Sequence, residues 1–287
     1  MTAETMTLGR ERFAAAPSRL SSNLRALRVV WTRELIRFSR DRMRIVTALI
    51  TPVLYLFVLG SGLSSLISSN SGVSFRTFIF PGVLALSVMF TATFSAASIV
   101  WDREFGFLRE MLVAPVSRSA IVLGKCLGGA TVATIQGMLL VVLAGAAGVP
   151  YDPVLILQLL ALLLVLAFAM TAFGVVVAAR MKSIQSFMGM TQLTLMPMFF
   201  LSGALYPLRG LPSWLAVLTQ INPLTYAVDP LRHAVFAHVD LGPLASRFTG
   251  GVSWFGWTLP AAFEVAVVCA MGLIMLAGAL VQFRRAE

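Results

Sequence analysis

Charge, histidine and cysteine are all scarce in this chain of 287 residues. Charged residues make up 12 %, against about 25 % in a typical soluble domain, while 58 % are hydrophobic. A soluble fold of this length has no interior large enough to hide that much apolar surface. The two histidines, His233 and His238, stand five apart and lack helical metal-ligand spacing. The two cysteines, Cys126 and Cys269, each fall inside an apolar run, so a disulfide framework is not supported. There is no phosphate-binding loop. The nearest candidate, ending in Gly124-Lys125, has Ser119 where its first glycine belongs and Cys126 where Ser or Thr belongs. Neither His-Glu-x-x-His nor Gly-x-Ser-x-Gly occurs. Nucleotide binding by that route is thereby excluded, and catalysis by this chain alone has no visible machinery. Residues 1–40 lack the apolar core of a signal peptide and are expected to be retained.

What is present is long apolar segments. A helix crossing ~30 Å of hydrocarbon needs about 20 residues, and backbone groups in lipid must bond within the segment. Six segments qualify, at 44–64, 77–99, 120–146, 153–178, 187–205 and 259–282. The expected fold is an all-α membrane protein with six transmembrane helices, an N-terminal amphipathic interfacial helix and an external re-entrant helical hairpin. The expected division is a flexible tail at 1–21, the amphipathic helix at 22–42, a membrane domain at 43–283 and a tail at 284–287. Pro52, Pro81 and Pro197 are expected to kink their spans rather than end them. The net charge is +10, but the basic residues sit at the N-terminus and between apolar spans, which fits an anionic inner leaflet better than nucleic acid. Eighteen of the 22 basic residues fall on one side of such a topology and four on the other. Both termini are therefore expected in the cytoplasm of a multi-pass plasma-membrane protein.

Four features are candidates for function. In the N-terminal arm, Leu24, Leu27, Trp31, Leu35 and Phe38 recur at steps of three and four, with Arg25, Arg28, Arg33, Glu34 and Arg37 among the polar positions. The arm is a simple topology anchor, or an anchor and a partner contact combined. Between the second and third spans, Trp101, Phe105, Leu108 and Leu112 share one helical face, with charges of both signs at Asp102, Arg103, Glu104, Arg109 and Glu110. Aromatic anchors with a charged rim suit protein docking, although a helix that only turns the chain has the same pattern. The segment 205–239 is apolar but broken by Pro207, Pro212, Pro223 and Pro230 into pieces too short to span, at Ser213–Gln220 and Leu224–Ala237. As a re-entrant hairpin it would bury Trp214, Leu218, Ile221 and Tyr226, and turn Asn222, Asp229 and Arg232 towards a cavity or other protein; as an ordinary lid it would lie on the surface. Within the spans, Glu264 is the sole acidic residue well inside, about six residues from a helix end. Gln136, Gln192, Met196 and Phe200 complete the pathway candidates, against the alternative of interhelical hydrogen bonding and packing. Gly124 and Gly128 form a small-xxx-small pair suited to close helix packing.

The run Arg103-Glu-Phe-Gly-Phe-Leu-Arg-Glu-Met-Leu-Val-Ala-Pro-Val-Ser-Arg118, the glycines Gly124, Gly128 and Gly129, Phe200-Leu-Ser-Gly-Ala-Leu-Tyr-Pro207 and Asn222-Pro-Leu-Thr-Tyr-Ala-Val-Asp229 together resemble permease subunits of type-2 ATP-binding-cassette exporters. The closest resemblance is to the daunorubicin-resistance and Nod-factor-export permeases, over residues 25–283. The resemblance implies a six-span homodimer that moves a drug, lipid or glycoconjugate out across the bacterial cytoplasmic membrane. It implies two copies of a separately encoded ATPase that carries the ATP and magnesium, with no cofactor on this chain. It also implies roles: a coupling helix at 101–112, with Gly106 and Phe107 among its residues, a connecting helix in the arm, and a re-entrant gate at 211–238 that includes Pro223. The runner-up reading is an ion-driven secondary transporter using Glu264, and a third is a scaffold without transport activity.

Overall fold

The structure, a computed structural model, describes residues 19–67, 74–106, 117–239, 251–254 and 257–285. It is almost entirely helical. The arm is helix α1, Arg19–Arg40. The first span is α2, Arg42–Leu54, which passes through a π-helical turn at Tyr55–Leu59 into α3, Gly60–Ile67. The second is α4, Phe75–Ser95, continued by α5, Ala97–Glu104. Then follow α6, Arg118–Val141, α7, Pro153–Arg180, and α8, Ile184–Phe200. Two short helices, α9, Ser213–Ile221, and α10, Thr225–Phe236, form the hairpin. A two-residue ribbon, Ser253–Trp254 against Trp257–Thr258, precedes α11, Ala261–Arg285.

Local chemistry explains the boundaries. The Asp152 carboxylate accepts from the amides of Val154, at 2.7 Å, and Leu155, while Pro153 supplies the preset first helical residue. Ser74, Ser117 and Ser183 cap α4, α6 and α8 in the same manner. Asp41 breaks the chain between α1 and α2, and its side chain accepts from Arg44 N at 3.0 Å. Pro52, Pro81 and Pro197 all lie inside helices, as expected. The π-helical turn begins just after Pro52, where proline removes a rung of the hydrogen-bond ladder.

Among the described residues, five helices are long and apolar enough to cross a membrane: Arg42–Leu63, Phe75–Glu104, Arg118–Val141, Pro153–Arg180 and Ala261–Phe283. The segment expected as a sixth span, 187–205, is represented by α8, which has 17 residues. Leu201 closes α8, and an irregular stretch through Gly203 (φ 71°) follows it. Helix α7 packs against α4, α6 and α11 and forms the centre of the bundle. The most apolar stretch of the second span is 83 % buried within the chain, and that of the first only 17 %. The first span therefore has most of its apolar surface left for lipid or another protein.

The arm closes on α6 through glycine. A Cβ at Gly124 would lie 2.8 Å from Val30 Cβ, and one at Gly128 would lie 2.8 Å from Glu34 Cβ. The small-xxx-small pair thus serves α1 rather than a neighbouring span. Gly124→Val is expected to push α1 off α6 and cost about 1–3 kcal/mol. A lowered thermal midpoint of the detergent-solubilised protein would show this, whereas an unchanged midpoint would mean that the contact is not tight.

Candidate functional site

Two regions concentrate buried polarity, one at each end of the bundle. The first lies where α1, α5 and α6 meet. Lys125, in α6, is buried, and its Nζ reaches Glu34 Oε1 at 2.7 Å, Ser98 Oγ at 2.7 Å and Asp102 Oδ2 at 3.3 Å. An ammonium carries three protons, so three acceptors satisfy it completely. Asp102 also accepts from Arg33 Nη2 at 3.0 Å. The Arg37 guanidinium lies 4.7 Å from the centre of the Trp101 ring, and Trp31 Nε1 donates to Thr131 Oγ1 at 3.1 Å. Through these contacts the arm, the end of the second span and the third span form one charged cluster.

The residues beyond Asp102 extend it to α7 and α8. Arg103 Nη1 donates to the Met181 carbonyl at 2.6 Å, at the C-terminal end of α7. Glu104 Oε2 accepts from the Ile184 amide at 3.1 Å, at the N-terminus of α8. A cation at a helix C-terminus and an anion at an N-terminus are each favoured by the unpaired backbone groups there. The end of the second span thereby holds the connection between α7 and α8.

The charges at Asp102, Arg103 and Glu104 all make contacts within the chain, while Glu104 stays exposed. Residues 101–104 end the second span instead of starting a separate helix: Phe105 is its C-cap and Gly106 takes φ 83°, a left-handed conformation that glycine adopts at little cost. Phe107, Leu108, Arg109 and Glu110 lie outside the described residues. In the arm, Leu24 is exposed, and the buried face runs through Val30, Glu34 and Phe38. Glu34 leaves the polar face because Lys125 compensates its charge. Arg25, Arg28 and Arg33 are exposed, as read from the pattern. Beyond the cluster, Phe105 remains 71 % exposed.

Beside the cluster a groove of about 420 Å³ opens between α2, α4 and α8. Its wall is mainly apolar, with Phe38, Tyr55, Phe90, Met196 and Phe199 interrupted by Gln192 and Arg44. Two of the five pathway candidates, Gln192 and Met196, therefore meet here. Phe200 is half-exposed outside the lining and its neighbour Phe199 takes the wall. Gln136 is buried in α6 away from the groove.

The second polar region lies at the hairpin. Asn222, just before Pro223, adopts the extended conformation that a following proline favours. Its amide donates to the Met198 carbonyl at 2.6 Å and its carbonyl accepts from Leu224 N at 3.1 Å, fixing the corner between α9 and α10. The Tyr226 hydroxyl donates to the Gln220 carbonyl at 2.6 Å and accepts from Trp254 Nε1 at 2.9 Å. The two hairpin helices match the predicted pieces closely, but their burial does not. Trp214 and Leu218 are exposed and Ile221 is 72 % exposed, whereas Tyr226, Asp229 and Arg232 are buried. Only the second arm docks on the bundle. The first, nine residues long, keeps its apolar side outward. Arg232 is enclosed, donating to the Gly203 carbonyl and lying 4.8 Å from the centre of the Phe78 ring. Glu264 is fully buried beside Asp229, not turned towards water.

The buried Lys125 cluster and the Asp229–Glu264 approach were missed from the sequence. A lysine inside an apolar helix is a signal by itself, but Lys125 stands too near a helix end to be separated from loop charges by pattern alone.

A bundle of long apolar helices with a docked amphipathic arm and a short broken hairpin marks a multi-pass membrane protein. Residues 25–236 match the ABC-2 type transporter family, and the chain belongs to it. Its relatives include Nodulation protein J of Rhizobium leguminosarum bv. viciae, 31 % identical over 71 % of this chain and 79 % of the relative. The putative transport permease ycf38 of Cyanophora paradoxa is 28 % identical over 73 % of each chain. The inner membrane transport permease YadH of Escherichia coli (strain K12) is 28 % identical over 78 % of this chain and 87 % of the relative. The ion-driven alternative gains nothing from these matches.

Proposed function

We propose that this permease is the membrane subunit of an ATP-driven exporter and works as a homodimer with two copies of a separate ATPase, which carries ATP and magnesium. The sixth span is α8 with its continuation, both termini lie in the cytoplasm, and the hairpin 211–238 gates the outer end. The substrate is an amphipathic drug, lipid or glycoconjugate. It moves along the groove between α2, α4 and α8, which a second copy closes. The poorly buried first span supports this arrangement, because it leaves an apolar face beside the groove.

One observation carries the reading. Trp101–Gly106 is fastened by ion pairs to the arm and to α6, and by charged side chains hydrogen-bonded to backbone groups at the α7–α8 connection, yet it presents Phe105 outward. A force applied at Phe105 acts on three spans together. Coupling requires such an element with two arrangements. Phe105→Ala is expected to weaken ATPase binding by about tenfold, as loss of an aromatic anchor costs over ~1 kcal/mol. Pull-down of the ATPase with wild-type and variant protein, at equal membrane levels, measures it. Undiminished capture would remove Phe105 from the docking surface.

A further inference from the structure

The hairpin and the last span bring Asp229, His233 and Glu264 together, with one ligand atom from each within 4.8 Å of the others. The first two come from the same face of α10, one turn apart, and the third from the first turn of α11. Tetrahedral bonds of about 2.0–2.2 Å from a metal to oxygen or nitrogen set ligand atoms about 3.3–3.6 Å apart. Closing this group on an ion therefore draws its ligand atoms together by up to about 1.5 Å, within the reach of side-chain rotation.

A separate observation points to a ligand. Glu264 is 0 % exposed, and neither of its carboxylate oxygens has a hydrogen-bond partner; Asp229 Oδ1 is buried and equally without one. Buried carboxylates in this condition are costly unless a proton or a charge of opposite sign joins them. The buried Arg232, three positions from Asp229 on α10, donates from Nη2 to the Gly203 carbonyl and lies over the Phe78 ring; its single positive charge offsets one of the two carboxylates and leaves the other. His233 Nδ1 lies 3.1 Å from the Asp229 carbonyl oxygen. A proton on Nδ1 donated to that oxygen leaves Nε2 as a lone-pair donor. His233 is partly exposed, which gives an ion a way in from solvent. Gly251 leaves the space open, since a Cβ there would lie 2.9 Å from Asp229 Oδ2 and 3.2 Å from His233 Cε1.

We propose that Asp229, His233 and Glu264 bind one divalent transition-metal cation, of the zinc or manganese kind, that fastens the second hairpin helix to the last span. Two carboxylates and one imidazole form a mixed set suited to such ions. The proposal does not depend on what the protein transports.

The test uses the full-length protein in lipid nanodiscs, stripped with a chelator and titrated with Zn²⁺ against a chromophoric competitor. One equivalent per chain is expected. His233→Ala and Glu264→Gln should each weaken binding by about tenfold or more, and His238→Ala should leave it unchanged. Should Glu264→Gln fail to insert, His233→Ala decides, because its partly exposed side chain is dispensable for packing. Absence of binding by the wild-type protein would overturn the proposal and leave a proton as the neutralising partner. Binding undiminished in His233→Ala would mean an adventitious ion only and would overturn it equally.

Discussion

Lys125→Met is expected to abolish ATP-driven transport and to destabilise the protein by about 3–5 kcal/mol, the usual cost of leaving a buried charge without its partner. The substitution removes the single cation shared by Glu34, Ser98 and Asp102. Asp102 retains Arg33 at 3.0 Å, whereas the buried Glu34 loses its only ion-pair partner among the described residues. The double variant Lys125→Met with Glu34→Gln should therefore recover much of the lost stability. It should not recover transport, because the charge link from α6 to the second span, Lys125 to Ser98 and Asp102, would be gone. Thermal unfolding in detergent and vesicle transport, read on both variants, separate the two effects. Wild-type stability in Lys125→Met would contradict the buried geometry, and wild-type transport would deny the cluster any part in coupling.

The other large effect is expected in the groove. Met196→Trp places a bulky, rigid ring in a space of about 420 Å³ beside Phe199 and Gln192. Overpacking of about 1–3 kcal/mol along the route corresponds to a roughly ten- to hundredfold fall in transport. ATPase binding should persist, because Met196 lies on α8, apart from the Trp101–Gly106 end. The readout is movement of a fluorescent amphiphile with an anionic headgroup in vesicles, a probe chosen because Arg44 lines the same groove. Unimpaired movement at normal protein levels would place the route elsewhere.

Much of the bundle was legible because it follows from short-range chemistry. Apolar length marks spans, and prolines with Asn222 mark the hairpin corner, so α9 and α10 fell within a residue or two of expectation. The glycine pair in α6 announced a close approach without naming its partner. Long-range pairings were not legible. Lys125 and Glu34 stand 91 positions apart, and nothing in either local pattern selects the other. The same gap hides the contacts of Asp102, Arg103 and Glu104: charges of both signs predict partners, but the pattern does not say which of them belong to the same chain. Burial of the hairpin failed for a related reason. Both arms are apolar, and which one packs on the bundle depends on Asp229, Arg232 and Glu264, whose meeting is a product of the tertiary fold.

The most direct test is co-purification of the full-length protein from its native membranes with any ATP-binding-cassette ATPase that accompanies it, with the mass of the complex and its ATP turnover measured on the same sample. The expected result is a complex of two permease and two ATPase chains that hydrolyses ATP, with markedly less ATPase recovered on Phe105→Ala, in line with about tenfold weaker binding. A permease that assembles with no cellular ATPase, while remaining folded and inserted, would contradict the ATP-driven reading.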